Sequence, residues 1–86
     1  MYEVGTHVWA HIKDLALNEE GTETFQYEED VECVIQELGR NGNECMLRFA
    51  HPKDIPGGVR IGWRKYEDIK PFERSFDPRD KNGYWN

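Results

Sequence analysis

The side chains of this chain best suited to chemistry are its carboxylates, and they are concentrated in the first half of the sequence. Residues 1–37 contain ten acids against a single base, Lys13, a net charge of −9. Residues 38–86 contain ten bases against seven acids, a net charge of +3, and the whole chain has −6. Six acids fall within twelve residues: Glu19, Glu20, Glu23, Glu28, Glu29 and Asp30. A surface polarised in this way attracts cationic partners and steers their approach.

The other reactive side chains form no group that predicts catalysis or metal binding. His7 and His11 share one face of an extended segment, but they are about 13 Å apart, too far to share a metal ion. No carboxylate pair, serine nucleophile or histidine–cysteine dyad has a catalytic spacing, and no glycine-rich phosphate loop is present. We therefore expect a protein that is not an enzyme, with no catalytic residue, metal or cofactor.

Composition narrows the class of protein further. Eighty-six residues make one domain, and an aromatic fraction of 13% argues against a disordered acidic chain. The net charge argues against direct binding to nucleic acid or to an anionic membrane surface. No stretch is apolar for long enough to cross a membrane, and residues 1–5 lack a signal-peptide pattern. We therefore expect a cytoplasmic location.

Period-two alternation predicts that the fold is all-β. Val8, Ala10 and Ile12 alternate with polar residues and with Trp9, which predicts a first strand with Trp9 directed outward. Residues 15–30 contain a turn signal at 18–22 and an extended stretch at 24–27, so the segment is interpreted as an irregular hairpin with a strongly acidic tip, and residues 19–30 as a long acidic loop.

Residues 31–38 and 44–50 are predicted to form a hairpin around the turn at Asn41-Gly42. A register in which paired residue numbers sum to 82 places apolar residues opposite one another: Ile35 with Leu47, and Cys33 with Phe49. The same register places Cys45 opposite Glu37. The two cysteines are then about 13 Å apart along the ladder, so both are expected to be free thiols.

The last part of the domain is predicted from shorter patterns. Trp63 alternates with Val59 and Ile61, which predicts that Trp63 lies in the core. A short helical turn is expected at residues 64–68, followed by a strand at 69–72 whose Pro71 suggests a sheet edge. Residues 73–86 are interpreted as a polar C-terminal tail beyond the domain at 1–72.

The order of these elements resembles that of SH3-like and Tudor-like five-stranded barrels. The resemblance rests on the first strand at 8–12, the acidic loop at 19–30 and the ending Gly62 to Phe72, which is similar to the helical turn and "valine-x-proline" ending of SH3 domains. It implies a five-stranded barrel. The tryptophan pair of the proline-peptide groove is absent, since Asn43-Glu44-Cys45 stands there. Tudor-like relatives hold methylated Lys or Arg in an aromatic cage, for which this chain offers Trp9, Tyr27, Trp63 and Tyr66.

These patterns together predict an interaction module that binds a basic surface or segment of another protein. The expected contact residues are Trp9, Glu19, Glu20, Glu23, Tyr27, Glu28, Glu29, Asp30 and Tyr66. One alternative is a small phage-type inhibitor whose acids mimic nucleic acid and block a host nucleic-acid-binding protein. Another is a structural subunit or virion component that assembles through the tail aromatics Phe76, Tyr84 and Trp85.

Overall fold

A computed structural model describes residues 2–72, which form one antiparallel sheet of five strands. The strands are β1 (His7–Leu17), β2 (Thr24–Leu38), β3 (Glu44–Phe49), β4 (Trp63–Lys65) and β5 (Ile69–Pro71). Their order is β4-β3-β2-β1-β5, so β4 and β5 are the outer strands and the sheet is not closed by strand pairing. The prediction of a β fold with five strands is confirmed, but closure into a barrel is not.

Residues 15–30 are mainly strand and form a hairpin that is more regular than expected. β1 and β2 pair in one continuous register that ends with Leu17 opposite Thr24, so only residues 18–23 form the connection. The hairpin expected here is confirmed, whereas an acidic loop over residues 19–30 is not, because residues 24–30 belong to β2. β2 contains three of the acids assigned to that loop: Glu28, Glu29 and Asp30. Because β1 places Lys13 opposite Glu28, part of this charge has a cross-strand counterpart. We call residues 11–30 the arm.

Residues 50–57 cross one face of the arm, from the edge of β2 to the edge of β1. At the first edge the Ala50 N–H donates to the Glu32 carbonyl at 3.1 Å. At the other edge the Leu17 N–H donates to the Gly57 carbonyl at 2.7 Å. The crossing segment contains a 3₁₀ turn, Pro52–Asp54. It explains why Ala16, near the end of the arm, is fully buried. We call the covered side the inner face.

The inner face of the sheet carries the core. Four strands supply its buried side chains, which are Val8, Ala10, Ile12, Val31, Cys33, Ile35, Cys45, Leu47 and Ile69. The alternation predicted for the first strand is therefore confirmed. Each fully buried aliphatic side chain of this size contributes about 1.5–3 kcal/mol to folding, so these residues fix the register of the sheet.

The β2–β3 hairpin confirms half of the predicted register. Cys33 lies opposite Phe49 and Ile35 opposite Leu47, as expected. A β-bulge after Ile35 then shifts the pairing by one residue, so Cys45 lies opposite Leu38. The pairing predicted between Cys45 and Glu37 is wrong, because the bulge inserts one extra residue into β2.

The end of the described chain is partly as predicted. A 3₁₀ turn spans Tyr66–Asp68, and β5 is an edge strand that pairs with β1. Trp63, however, is 41% exposed, so its prediction as a core residue is wrong. Residues 59–62 do not belong to a strand, and pairing with β3 places Arg64, opposite Cys45, on the inner side. The predicted tail, 73–86, lies outside the described residues, and no helix within 2–72 has the length and apolarity of a membrane span.

Candidate functional site

We call the side of the sheet opposite the inner face the outer face. Along β1 and β2 this outer face carries histidines beside carboxylates. Antiparallel partners point to the same side of a sheet, so β1 and β2 bring their polar residues together there. Ion-pair distances link six side chains, which we call the histidine–carboxylate row: His7, His11, His51, Glu28, Asp30 and Glu32. The row contains all three histidines of the chain.

His11 lies between two carboxylates. Its Nε2 is 2.7 Å from Glu28 Oε2, and its Nδ1 is 2.9 Å from Asp30 Oδ1. A neutral imidazole has only one N–H, whereas two ionised acceptors require two donors. The hydrogen bonds to Glu28 and Asp30 accordingly raise the pKa of His11 above its ordinary value of 6.5. The pKa of Glu28 is lowered, chiefly by its hydrogen bond with His11. The arrangement favours an imidazolium held between two carboxylates.

Glu32 joins the other two histidines. Its Oε2 is 2.6 Å from His7 Nδ1, and its Oε1 is 2.9 Å from His51 Nε2. Burial alone would raise the pKa of Glu32, but hydrogen bonds from both histidines bring the pKa below its ordinary value. Because His51 belongs to the crossing segment, Glu32 ties that segment to β2 and to the start of β1.

These contacts divide the predicted binding acids into two groups. Glu28 and Asp30 already engage His11. In the second group each carboxylate is exposed and takes part in no ion pair with another residue of 2–72: Glu19, Glu20, Glu23 and Glu29. The first three lie in the connection at the end of the arm, and Glu29 lies opposite Ile12 within β2. Only the second group is ready to receive a cation without displacing a histidine.

Two concave surfaces lie beside the second group. An open groove of about 790 Å³ runs along the end of the arm, with Leu17, Phe25, Ile55 and Pro56 among its apolar lining. Glu19, Glu20 and Asp54 also line the groove, together with one base, Lys53.

The second concavity is a recess of about 230 Å³ at the edge of β2 that faces away from β1. Its lining is mainly acidic and is formed by Tyr27, Glu29, Asp30, Val31, Glu32, His51, Asp54 and Ile55. Histidines engage Asp30 and Glu32, but Glu29 and Asp54 are in no ion pair within residues 2–72. These two carboxylates, with the ring of Tyr27 beside them, suit the head of a Lys or Arg side chain.

The predicted aromatic contacts are not gathered in one place. Trp9 lies on the outer face as predicted, but it is 4% exposed and its ring centroid is 5.0 Å from that of Phe72. The outward direction predicted for Trp9 is confirmed, but the ring is covered, and Phe72, next to β5, is among the side chains that pack on it. Tyr66 is half-buried and stacks on Tyr2 at 5.5 Å. Tyr27 pairs with Asp14, on the face opposite Trp9, so Trp9 and Tyr27 cannot line the same aromatic cage.

The cysteines, and the residue types that could ligate a metal, form no further site within residues 2–72. Cys33 and Cys45 are free and buried, as expected from their separation. Burial raises the pKa of Cys33 to about 12, so its thiol is unreactive at neutral pH. No group of three His, Cys, Asp or Glu residues among those described is arranged to hold a metal ion.

Sequence reasoning missed Glu32, His51 and Asp54. If the first strand is extended beyond Ile12 and paired with the segment that follows, His11 lies beside Asp30. This one contact of the histidine–carboxylate row was therefore predictable from the alternation of the sequence. No local pattern links His51 to Glu32, since their contact depends on the path of the crossing segment.

Comparison with known protein families, curated proteins and solved structures finds no match to this chain.

Proposed function

We propose that this protein is a non-enzymatic interaction module that binds a basic segment of a partner protein through the carboxylates of the arm. One observation carries the proposal: Glu19, Glu20, Glu23 and Glu29 are exposed and have no ion-pair partner among residues 2–72. Neighbouring like charges repel each other, and a cationic partner removes that repulsion. Such a field also raises association rates by about 10- to 1000-fold at low salt.

The attraction between charges acts at long range, and Tyr27 and the acidic recess add a direct contact for one side chain of the partner. Tyr27 lines the recess together with Glu29 and Asp54, so a Lys or Arg entering it meets both a ring and carboxylates. Trp9 offers almost no free surface at 4% exposure, and we place the main aromatic contact at Tyr27 instead. A contribution from Tyr66 stays a prediction.

We further propose that the domain is SH3-like. Support comes from the strand order β4-β3-β2-β1-β5 and from the 3₁₀ turn, Tyr66–Asp68, directly before β5. The helical turn before the last strand is a feature that the resemblance implied. The missing groove tryptophans make a proline-rich ligand a poor candidate, and the acidic arm favours a basic one.

The experiment compares two triple variants of equal net charge. Glu19→Gln, Glu20→Gln and Glu23→Gln remove three charges from the end of the arm. The matched control removes three exposed charges elsewhere: Glu3→Gln, Glu37→Gln and Glu67→Gln. Binding of a fluorescent nine-residue lysine peptide is measured by anisotropy at about 20 mM and about 500 mM salt.

We expect the arm variant to lose at least about tenfold in affinity at low salt, with wild-type binding weakened to a similar degree by high salt. The control variant should bind nearly as the wild type does. Equal losses in both variants would show that binding depends on overall charge and not on the arm.

The two alternative functions remain predictions. A nucleic-acid mimic would be displaced from its captured partner by duplex DNA, whereas a module that binds a basic peptide segment would not. Assembly through Phe76, Tyr84 and Trp85 concerns residues outside the described part of the chain.

A further inference from the structure

The hydrogen bonds of β2 identify which of its backbone groups point away from β1. The Ile35 N–H donates to the Thr6 carbonyl at 2.9 Å, on the β1 side, whereas the Glu32 carbonyl accepts from Ala50 on the other side. Backbone groups alternate between the two sides of a strand with period two. Even-numbered residues of β2 therefore direct both N–H and C=O away from β1. Within the arm these residues are Thr24, Gln26, Glu28 and Asp30.

This edge of the arm is open among the residues that the structure describes. β3 pairs with β2 only from Cys33 onward, and after Ala50 the chain turns onto the inner face. No strand of residues 2–72 pairs with β2 along this side of the arm, and no turn or loop backbone bond between described residues reaches it. The acidic recess, lined by Tyr27 and Glu29, lies beside the same edge and provides room for an incoming side chain.

The charges that flank the edge indicate what can pair with it. Glu28 and Asp30 project from the outer face, and Glu29 projects from the inner face. Natural sheets protect exposed edges with charged side chains, Pro or bulges. Residues 24–31 contain no Pro and no Lys, and their register with β1 is regular, so the acids Glu28, Glu29 and Asp30 are the device that deters pairing with an uncharged or acidic strand. A second copy of this chain pairing at the same edge would bring identical acids together, which is unfavourable. Since His11 already engages Glu28 and Asp30, the complementary strand is one with Lys or Arg on the inner face, where Glu29 and Asp54 line the recess.

We infer that the basic partner segment adds to the sheet as a sixth strand along the outer edge of β2, from Thr24 to Asp30. This inference rests on the proposed function and adds its mode of recognition. Main-chain hydrogen bonds to Gln26, Glu28 and Asp30 hold the segment, and its alternating Lys or Arg side chains share one face, where they meet Glu29 and the acidic recess. The seven-residue edge spans about 20 Å, so the partner is an extended basic segment of similar length.

The first test uses two probes of identical charge and the full-length protein. One is a blocked seven-residue peptide of alternating Lys and Val. The other has the same sequence with every backbone amide N-methylated, which removes its donors but keeps its charge. We expect the unmodified peptide to bind at least about tenfold more tightly, since several main-chain hydrogen bonds are lost in the other. Equal binding of both probes would overturn strand addition but leave the proposed function standing. Binding of neither would count against both.

The second test changes the edge itself. Gln26→Pro removes one outward N–H, and the Gln26 side chain takes part in no ion pair or hydrogen bond in residues 2–72. Gln26→Ala removes the side chain but keeps the N–H, and is the matched control. We expect about a tenfold loss of peptide affinity in the proline variant alone.

Hydrogen exchange on the wild-type protein reports the same edge without any substitution. In the free protein the amides of Gln26, Glu28 and Asp30 should exchange faster than those of Tyr27 and Glu29, and the unmodified peptide should slow them. Slow exchange before any peptide is added would show that the edge is already occupied. A dimer that Gln26→Pro dissociates would assign the edge to a second copy. Either result overturns the inference.

Discussion

Paired substitutions on β1 test the face assignment that positions the arm and its carboxylates. Ile12 is 0% exposed in the core, whereas Leu15, three residues later on the opposite face, is 58% exposed. Replacing either residue with Ala removes the same number of carbon atoms. In the core the deletion leaves a cavity that neighbours fill only in part, which costs about 2–5 kcal/mol. At the exposed position the expected change is within about 0.5 kcal/mol.

The size of the domain makes this difference measurable. At typical values per residue, an 86-residue chain has a free energy of unfolding of about 4–13 kcal/mol. Ile12→Ala therefore removes a large fraction of the total, and Ile12→Val, at about 0.5–1.5 kcal/mol, provides a milder step that stays folded. Urea unfolding followed by tryptophan fluorescence gives all three values, and an unchanged m-value shows that the two-state comparison holds.

The rank order of the three losses in unfolding free energy tests which face of β1 each residue occupies. Ile12→Ala should cost most, Ile12→Val less and Leu15→Ala least. A cost for Leu15→Ala equal to that of Ile12→Ala would mean that β1 does not present these faces as described. His11 would then not lie on the outer face beside Glu28 and Asp30, and the division of the acids into engaged and free groups would be lost.

Three further predictions follow from particular residues. The raised pKa of His11 means that its stabilisation is complete below pH 6.5 and is lost as the pH rises through the higher folded value; urea midpoints of the wild type should fall over this range, and a similar fall in His11→Gln would contradict the assignment. Gly42 has a φ of +75°, so Gly42→Ala should cost about 1–2 kcal/mol in thermal unfolding. Gly62→Ala, where no atom lies within 4 Å of the added carbon and φ is outside the left-handed range, should cost about 0.5 kcal/mol or less, and equal costs would argue against the turn. Neither Cys33 nor Cys45 should react with a thiol reagent until urea unfolds the protein, since both are buried; rapid labelling of the folded state would contradict the packing.

Local physics explains the parts of the fold that were predictable. The alternation of Val8, Ala10 and Ile12 needs only a strand with one buried face, and the turn at Asn41-Gly42 needs only a residue that accepts positive φ. Both features depend only on residues within a few positions of each other, so both can be predicted from the sequence.

The arm was not predictable in the same way. Acids are poor strand formers, and the run from Glu28 to Asp30 has the composition of a loop. It is nevertheless strand because β1 offers a continuous partner and places His11 and Lys13 across from the acids. Trp63 shows the same limit, since its exposure follows from pairing with β3 and not from the spacing of Val59 and Ile61.

For the candidate site, the sequence alone determined that carboxylates dominate the first half of the chain, and the cationic partner is a prediction from that charge. Only the tertiary structure decided which carboxylates are engaged by histidines, where the recess lies and which edge of β2 is open. The physical reason is that net charge and alternation depend only on which residues the chain contains and on their neighbours in sequence. An ion pair such as that of His51 with Glu32, or an unpaired edge, depends instead on segments that meet only after folding.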